Sequence, residues 1–121
     1  MAHAVKTESA LGLALLFAAT QAFAHAQLQN TAPPAGATVP PPSEIRLQFS
    51  EGVEPLFSGA ILKAAGGSSE PLGRPKVEPG DNKVLIVPIS RPLSPGRYSV
   101  RWHAVSVDTH RTEGTFQFTV K

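Results

Sequence analysis

The 121-residue sequence contains no cysteine. That excludes disulfides and thiolate metal ligands, and with them most structural zinc sites. A small exported domain often leans on disulfides; one without them must rely on its hydrophobic core. Methionine is almost as scarce, Met1 being the single example. Thioethers, the other soft donors, are therefore missing from the body of the chain. No charge of one sign dominates: 11 Lys and Arg against 9 Asp and Glu leave a formal net charge of +2. The basic residues are scattered, which solvates a surface and is not the clustered footprint of nucleic-acid binding. Also absent are a Gly-x-Ser-x-Gly motif, a Gly-rich phosphate loop and a histidine pair with zinc-protease spacing.

What is present begins with an export-signal pattern. Lys6 gives a modest positive start, offset by Glu8, and residues 11–19 (LGLALLFAA) are apolar and uncharged. This run is too short to span a bilayer and fits the core of a secretion signal. Ala22-Phe23-Ala24 is a small-x-small cleavage site, and so is Ala24-His25-Ala26. A cut after Ala24 makes His25 the first residue of the mature chain, whereas a cut after Ala26 leaves Gln27 first. The expected organisation is a cleaved signal peptide over residues 1–24 and one small domain over 25–121. An N-terminal histidine differs chemically from an internal one. Its free α-amine and its imidazole Nδ1 can close a chelate ring on one metal ion, while an internal histidine has only an amide nitrogen.

The rest reads as all-β. The twelve prolines and ten glycines of the sequence, all but Gly12 in this part, punctuate short alternating runs, which suits a sandwich or barrel and argues against helices. Strands are expected near 27–31, 44–50, 58–64, 72–78, 83–89, 97–105 and 115–121. That makes about seven, the number of an immunoglobulin-like sandwich. Residues 32–43 are proline-rich and read as a loop, residues 65–70 as a flexible turn, and Pro75 demotes 72–78 to a sheet edge. Parity puts Ile45, Leu47 and Phe49 inward, with Tyr98, Val100, Trp102 and Ala104, and later Phe116, Phe118 and Val120. Leu93-Ser94-Pro95-Gly96-Arg97-Tyr98 has the form of a tyrosine corner, a turn running into a strand that opens with tyrosine.

Asp108-Thr109-His110 is the second candidate for chemistry. Residues two apart on an extended chain point to the same side. A carboxylate and an imidazole there would join the amine and imidazole of His25. The set is nitrogen-rich with one oxygen, a combination that in tetragonal geometry favours copper(II). If the strand from Arg97 ran on unbroken, Asp108 would lie on the core face, where a buried, unpaired carboxylate is costly. The strand must therefore end or bulge near residues 105–107 and display the pair at a rim. His103 lies on the outward face and reads as a solvated strand residue, or at most as a hydrogen-bonding neighbour of a metal ligand. Glu51 ends the 44–50 run and reads either as a turn carboxylate or as a further oxygen ligand or hydrogen-bond acceptor.

Over the whole mature segment the chain resembles the CopC family of periplasmic copper-resistance proteins. The likeness is carried by a histidine after the cleavage site, Thr31-Ala32-Pro33-Pro34-Ala35-Gly36, Leu47-x-Phe49-Ser50-Glu51 and Phe57-Ser58-Gly59. It continues in Leu93-x-x-Gly96-x-Tyr98, Trp102, Ser106-x-Asp108-x-His110 and Gly114-x-Phe116-x-Phe118-x-Val120. The resemblance implies a Greek-key β-barrel or sandwich in the periplasm that binds one copper(II) per chain at one pole. The ligands it implies are the amine and imidazole of His25, Asp108 and His110, with Glu51 as a secondary position. It implies a non-enzymatic role in sequestering or carrying copper, often beside a CopD-like inner-membrane protein, and a monomer is expected. Some members also bind copper(I) through a Met-rich loop. This chain departs from them, because its one methionine leaves with the signal.

Two other readings of the same residues remain. An N-terminal histidine chelate with a further histidine resembles the copper centre of polysaccharide monooxygenases, but the aromatic residues fit the core and leave no platform for a polysaccharide. A metal-free immunoglobulin-like interaction module requires a mature chain beginning at Gln27, or a His110 without a part in metal binding.

Overall fold

Alternation along residues 44–49 shows how the sandwich is built. In this computed structural model, which describes residues 25–121, Ile45, Leu47 and Phe49 are fully buried, while Glu44, Arg46 and Gln48 face outward. The signal-peptide reading of residues 1–24 lies outside the described residues. Nine strands follow: β1 (Leu28–Ala32), β2 (Thr38–Val39), β3 (Glu44–Phe49), β4 (Gly59–Ala64), β5 (Ser69–Glu70), β6 (Lys76–Glu78), β7 (Asp81–Pro88), β8 (Gly96–Val105) and β9 (Arg111–Val120). A single 3-10 turn, Pro55–Phe57, precedes β4.

The strands form two sheets, of order β1-β3-β7-β6 and β2-β9-β8-β4-β5. The chain passes repeatedly from one to the other, and their inner faces enclose the core. All pairings are antiparallel except β2 beside the end of β9, which is parallel. The expected sandwich is present, but the strand number is nine rather than about seven. The two additions, β2 and β5, are two residues each and lie in segments expected to be a loop and a turn. Two residues carry no readable period; what makes them strands is pairing with β9 and β4. The first part of β9, Arg111–Gly114, was likewise not expected to be strand. It pairs in register with β8 through the whole hairpin.

The core contains Phe49, Leu47, Ile45, Leu85, Val87, Val100, Trp102 and Phe118. Val84 through Val87 are all buried, which accounts for the apolar run on both faces of β7. Phe49 meets Trp102 edge to face at 5.4 Å between ring centroids, and Tyr98 stacks on Phe118 at 5.7 Å. Trp102 needs Gly114 opposite it on β9. A Cβ at that position would lie 2.8 Å from the indole.

Tyr98 completes the corner read from the sequence. Its ring is buried, and its hydroxyl donates to the carbonyl of Ser94, four residues upstream, at 2.7 Å. Tyr98→Phe keeps the ring and removes that bond. The expected loss is about 0.5–1.5 kcal/mol of folding stability, read as a lower urea midpoint at unchanged slope.

Candidate metal centre

The hairpin from β8 to β9 sets the site. Val105 pairs with Arg111, and the Ser106 amide donates to the His110 carbonyl at 2.8 Å. Three residues, Val107, Asp108 and Thr109, make the loop. The Thr109 amide bonds the Ser106 carbonyl at 2.8 Å, and Thr109 itself has φ 74°. This is the three-residue hairpin pattern, a turn followed by a left-handed residue. The last position favours glycine. A β-branched threonine there is strained, at a cost of about 1–3 kcal/mol, and such strain clusters at functional sites. The strand therefore ends at Val105, as parity required, and Asp108 and His110 stand at the rim with side chains 37% and 54% exposed.

The N-terminal segment reaches the same pole. Ala26 is fully buried, and its carbonyl accepts a bond from the Thr112 hydroxyl at 3.0 Å, across 86 residues of chain. Gln27 is held at both backbone groups: its amide donates to the Ser50 hydroxyl and its carbonyl accepts from the Ser50 amide, each at 2.9 Å. These bonds dock residues 26 and 27 beside β3 and β9 and bring His25 over the hairpin. The His25 and His110 rings lie 4.4 Å apart between centroids, at 68°. His110 Nδ1 is also 3.2 Å from Asp108 Oδ1.

His25, Asp108 and His110 are thus neighbours, although residues 25 and 108 are far apart in sequence. Among the described residues, no three His, Asp or Glu side chains converge as a ready-made metal cage. The side-chain donors gathered here, two imidazoles and a carboxylate, are of a kind that suits copper(II).

Asp108 is poised as an anion. The Ser106 hydroxyl donates to its Oδ1, and His110 adds hydrogen bonds from its ring and its amide. Together, with Ser106 the larger cause, they hold the carboxyl below the usual carboxylate range.

Glu51 is half-buried between Ser50, which clasps Gln27, and Gly52, whose carbonyl accepts from the Val107 amide at 3.0 Å. Its backbone places it at this pole. His103 differs from its expectation as a solvated residue. It is half-buried on the outer face of β8, and the space beside Gly59 is filled by its ring and by Pro75. Burial, with the nearby Arg111, pulls its basicity down.

The residue that the sequence reading passed over is Ser106. It follows Val100, Trp102 and Ala104 on the inward parity and is fully buried. A hydroxyl on a core face must find partners, and that was the available signal. Thr112 gave none, because its partner is 86 residues away.

Comparison with known proteins agrees with this architecture. Residues 28–121 match the model of the CopC domain. The protein YobA of Escherichia coli strain K12 is 47% identical over 100 residues, covering 82% of this chain and 81% of the relative. Copper resistance protein C of Escherichia coli is 42% identical over 109 residues, covering 85% and 86%. Among solved structures, PcoC, described as a methionine-rich copper resistance protein from Escherichia coli, superimposes with a TM-score of 0.73 at 36% identity. It covers 81% of this chain and all of its own.

Proposed function

The chain belongs to the CopC family, and on that premise we propose that it is a periplasmic copper(II)-binding protein of copper resistance. In this reading a signal peptide is cut after Ala24. One copper(II) ion is then held as cargo by the α-amine and imidazole of His25, the carboxylate of Asp108 and the imidazole of His110. The observation that carries the reading is the pair of contacts at His110: its ring lies 4.4 Å from the His25 ring, and its Nδ1 lies 3.2 Å from Asp108 Oδ1. Ala26 supports the choice of cut. It is buried and bonded to Thr112, so cleavage after it would remove an anchor of the fold as well as the histidine.

The chemistry this chain supplies is coordination without turnover. Asp108 meets a cation already charged. The buried Ala26 and the Ser50 clasp hold the N-terminal segment in place, which reduces the ordering cost of binding. Methionine is absent from the mature segment, so the proposal is confined to copper(II). Sequestration and delivery, with a CopD-like inner-membrane protein as one recipient, are the roles such a site serves, and the chain acts as a monomer without enzymatic activity. Glu51 is carried as a secondary ligand or hydrogen-bond acceptor at the same pole.

Copper(II) titration of the mature chain, followed by Trp102 fluorescence and the copper absorption band, tests this. One equivalent is expected to bind; a stoichiometry far below one overturns the reading. Binding is expected to weaken as pH falls, because protons compete for every donor atom. Asp108 keeps its charge below the usual carboxylate range. Its own protonation therefore adds to the loss only at more acid pH than for an ordinary aspartate. The same sign holds for folding in the absence of copper. The folded chain binds the Asp108 proton less readily than the unfolded chain, so this group's contribution is present at neutral pH and lost in acid.

A further inference from the structure

We propose that Ser106 is a positioning residue of the copper site: its buried hydroxyl ties Asp108 to the base of the hairpin, so that Asp108 and His110 face the cargo ion together. This rests on the copper(II) reading above.

Ser106 has no exposed surface. Its hydroxyl donates to Asp108 Oδ1, lies 3.2 Å from the His110 carbonyl, and can accept from the His110 amide at 3.3 Å. Its backbone closes the loop at both groups, the amide to the His110 carbonyl and the carbonyl to the Thr109 amide, each at 2.8 Å. It also forms a bridge with Val53, which joins the loop to the core. One small side chain thus bonds the Asp108 carboxylate and the backbone of His110. By engaging Oδ1 it leaves Oδ2 of Asp108 with fewer partners and fixes the carboxylate plane. The loop needs such a brace, because Thr109 holds a left-handed backbone that it does not favour. A hydroxyl is also a suitable choice chemically, since it is neutral and does not compete for copper(II) as an imidazole or thiolate would.

Ser58 is a built-in control. It is the other buried polar residue among those described, and its hydroxyl also braces β8, accepting from the Val105 amide at 3.0 Å and donating to the Glu54 carbonyl at 2.7 Å. It touches neither Asp108 nor His110 in those bonds.

The test compares the mature chain with its Ser106→Ala and Ser58→Ala variants. Copper(II) affinity is measured by competition with a chelator, and the copper site by electron paramagnetic resonance. Loss of a partner that orients a ligand typically weakens a metal site about 10–100-fold. That weakening with an altered spectrum is expected for Ser106→Ala, and an unchanged affinity and spectrum for Ser58→Ala. Unchanged binding and spectrum in Ser106→Ala overturn the proposal and leave the copper(II) reading standing. Equal weakening in both variants also overturns it, since the effect then belongs to the fold. Failure of the unsubstituted chain to bind copper(II) removes the underlying reading, and the proposal with it. If Ser106→Ala does not fold, the copper-loaded crystal structure of the unsubstituted chain decides. A Ser106–Asp108 hydrogen bond retained beside bound copper supports the proposal, and its loss on loading overturns it.

Discussion

Adding one alanine ahead of His25 in the mature chain is expected to weaken copper(II) binding on the order of a hundredfold or more. The addition changes no side chain of the site. It converts the His25 α-amine into an amide, which is not a neutral donor, and moves the free amine away from the imidazole. The chelate ring formed by the amine and imidazole of one residue is thereby lost, although the His25 ring can still lie against His110, as it does at 4.4 Å in the structure. Losing a partner that merely orients a ligand costs about 10–100-fold, so losing a ligand should cost at least the upper end of that range. At 1.4 kcal/mol per tenfold, this is about 3 kcal/mol or more of binding free energy. His25→Ala should do at least as much, because it removes the imidazole. Equal affinity for the native and extended chains, measured by chelator competition, would remove the α-amine from the account. The extension is the cleaner of the two, since it leaves the His25 ring and its contact with His110 in place.

The largest expected effect on folding comes from Phe49→Ala, a loss of about 3–5 kcal/mol, the usual range for emptying an aromatic site in a core. Phe49 is fully buried and meets Trp102 edge to face. The indole cannot close the gap readily, because it is already fitted against Gly114, where even a Cβ would lie 2.8 Å away. A marginally stable small domain would lose much of its margin at such a cost. The site should suffer as well. Phe49 directly precedes Ser50, the residue that clasps Gln27 at both backbone groups. Urea denaturation should show a large drop in midpoint, with Trp102 fluorescence altered in the native state. A loss under about 1 kcal/mol would mean that the two sheets repack without this ring.

The residues that made the fold readable are those with a long regular period. Glu44–Phe49 and Gly96–Val105 alternate cleanly, and both strands lie where alternation puts them, with their buried faces as expected. The tyrosine corner was legible for a different reason: its partners, Ser94 and Tyr98, are four residues apart. Thr38–Val39 and Ser69–Glu70 were not legible, because each is a strand only by virtue of a neighbour supplied from elsewhere in the chain. The start of β9 escaped for a similar reason. Arg111–Gly114 is polar and largely outside the core, and its strand character comes from the register with β8.

The candidate site divides in the same way. Parity alone required the chain to turn before Asp108, since the strand face that carries Trp102 is core, and the hairpin after Val105 is where it turns. The approach of His25 to that hairpin depends on the buried Ala26, the Thr112 hydroxyl and the Ser50 clasp. None of these has a sequence signature, because each joins distant segments through no more than one or two bonds. His103 shows the limit of face assignment. It points outward as its parity says, yet Gly59 and Pro75 leave it half-covered. Methionine content separates this chain from one of its structural relatives. PcoC is described as methionine-rich, whereas the single methionine here is Met1.

The central claim is that cleavage creates half of the copper site. The crystal structure of the mature chain, loaded with copper(II), tests it most directly. One copper ion bonded to the α-amine and Nδ1 of His25, a carboxylate oxygen of Asp108 and an imidazole nitrogen of His110 is the predicted result. A copper ion held without the α-amine, or seated away from the hairpin between β8 and β9, would contradict it.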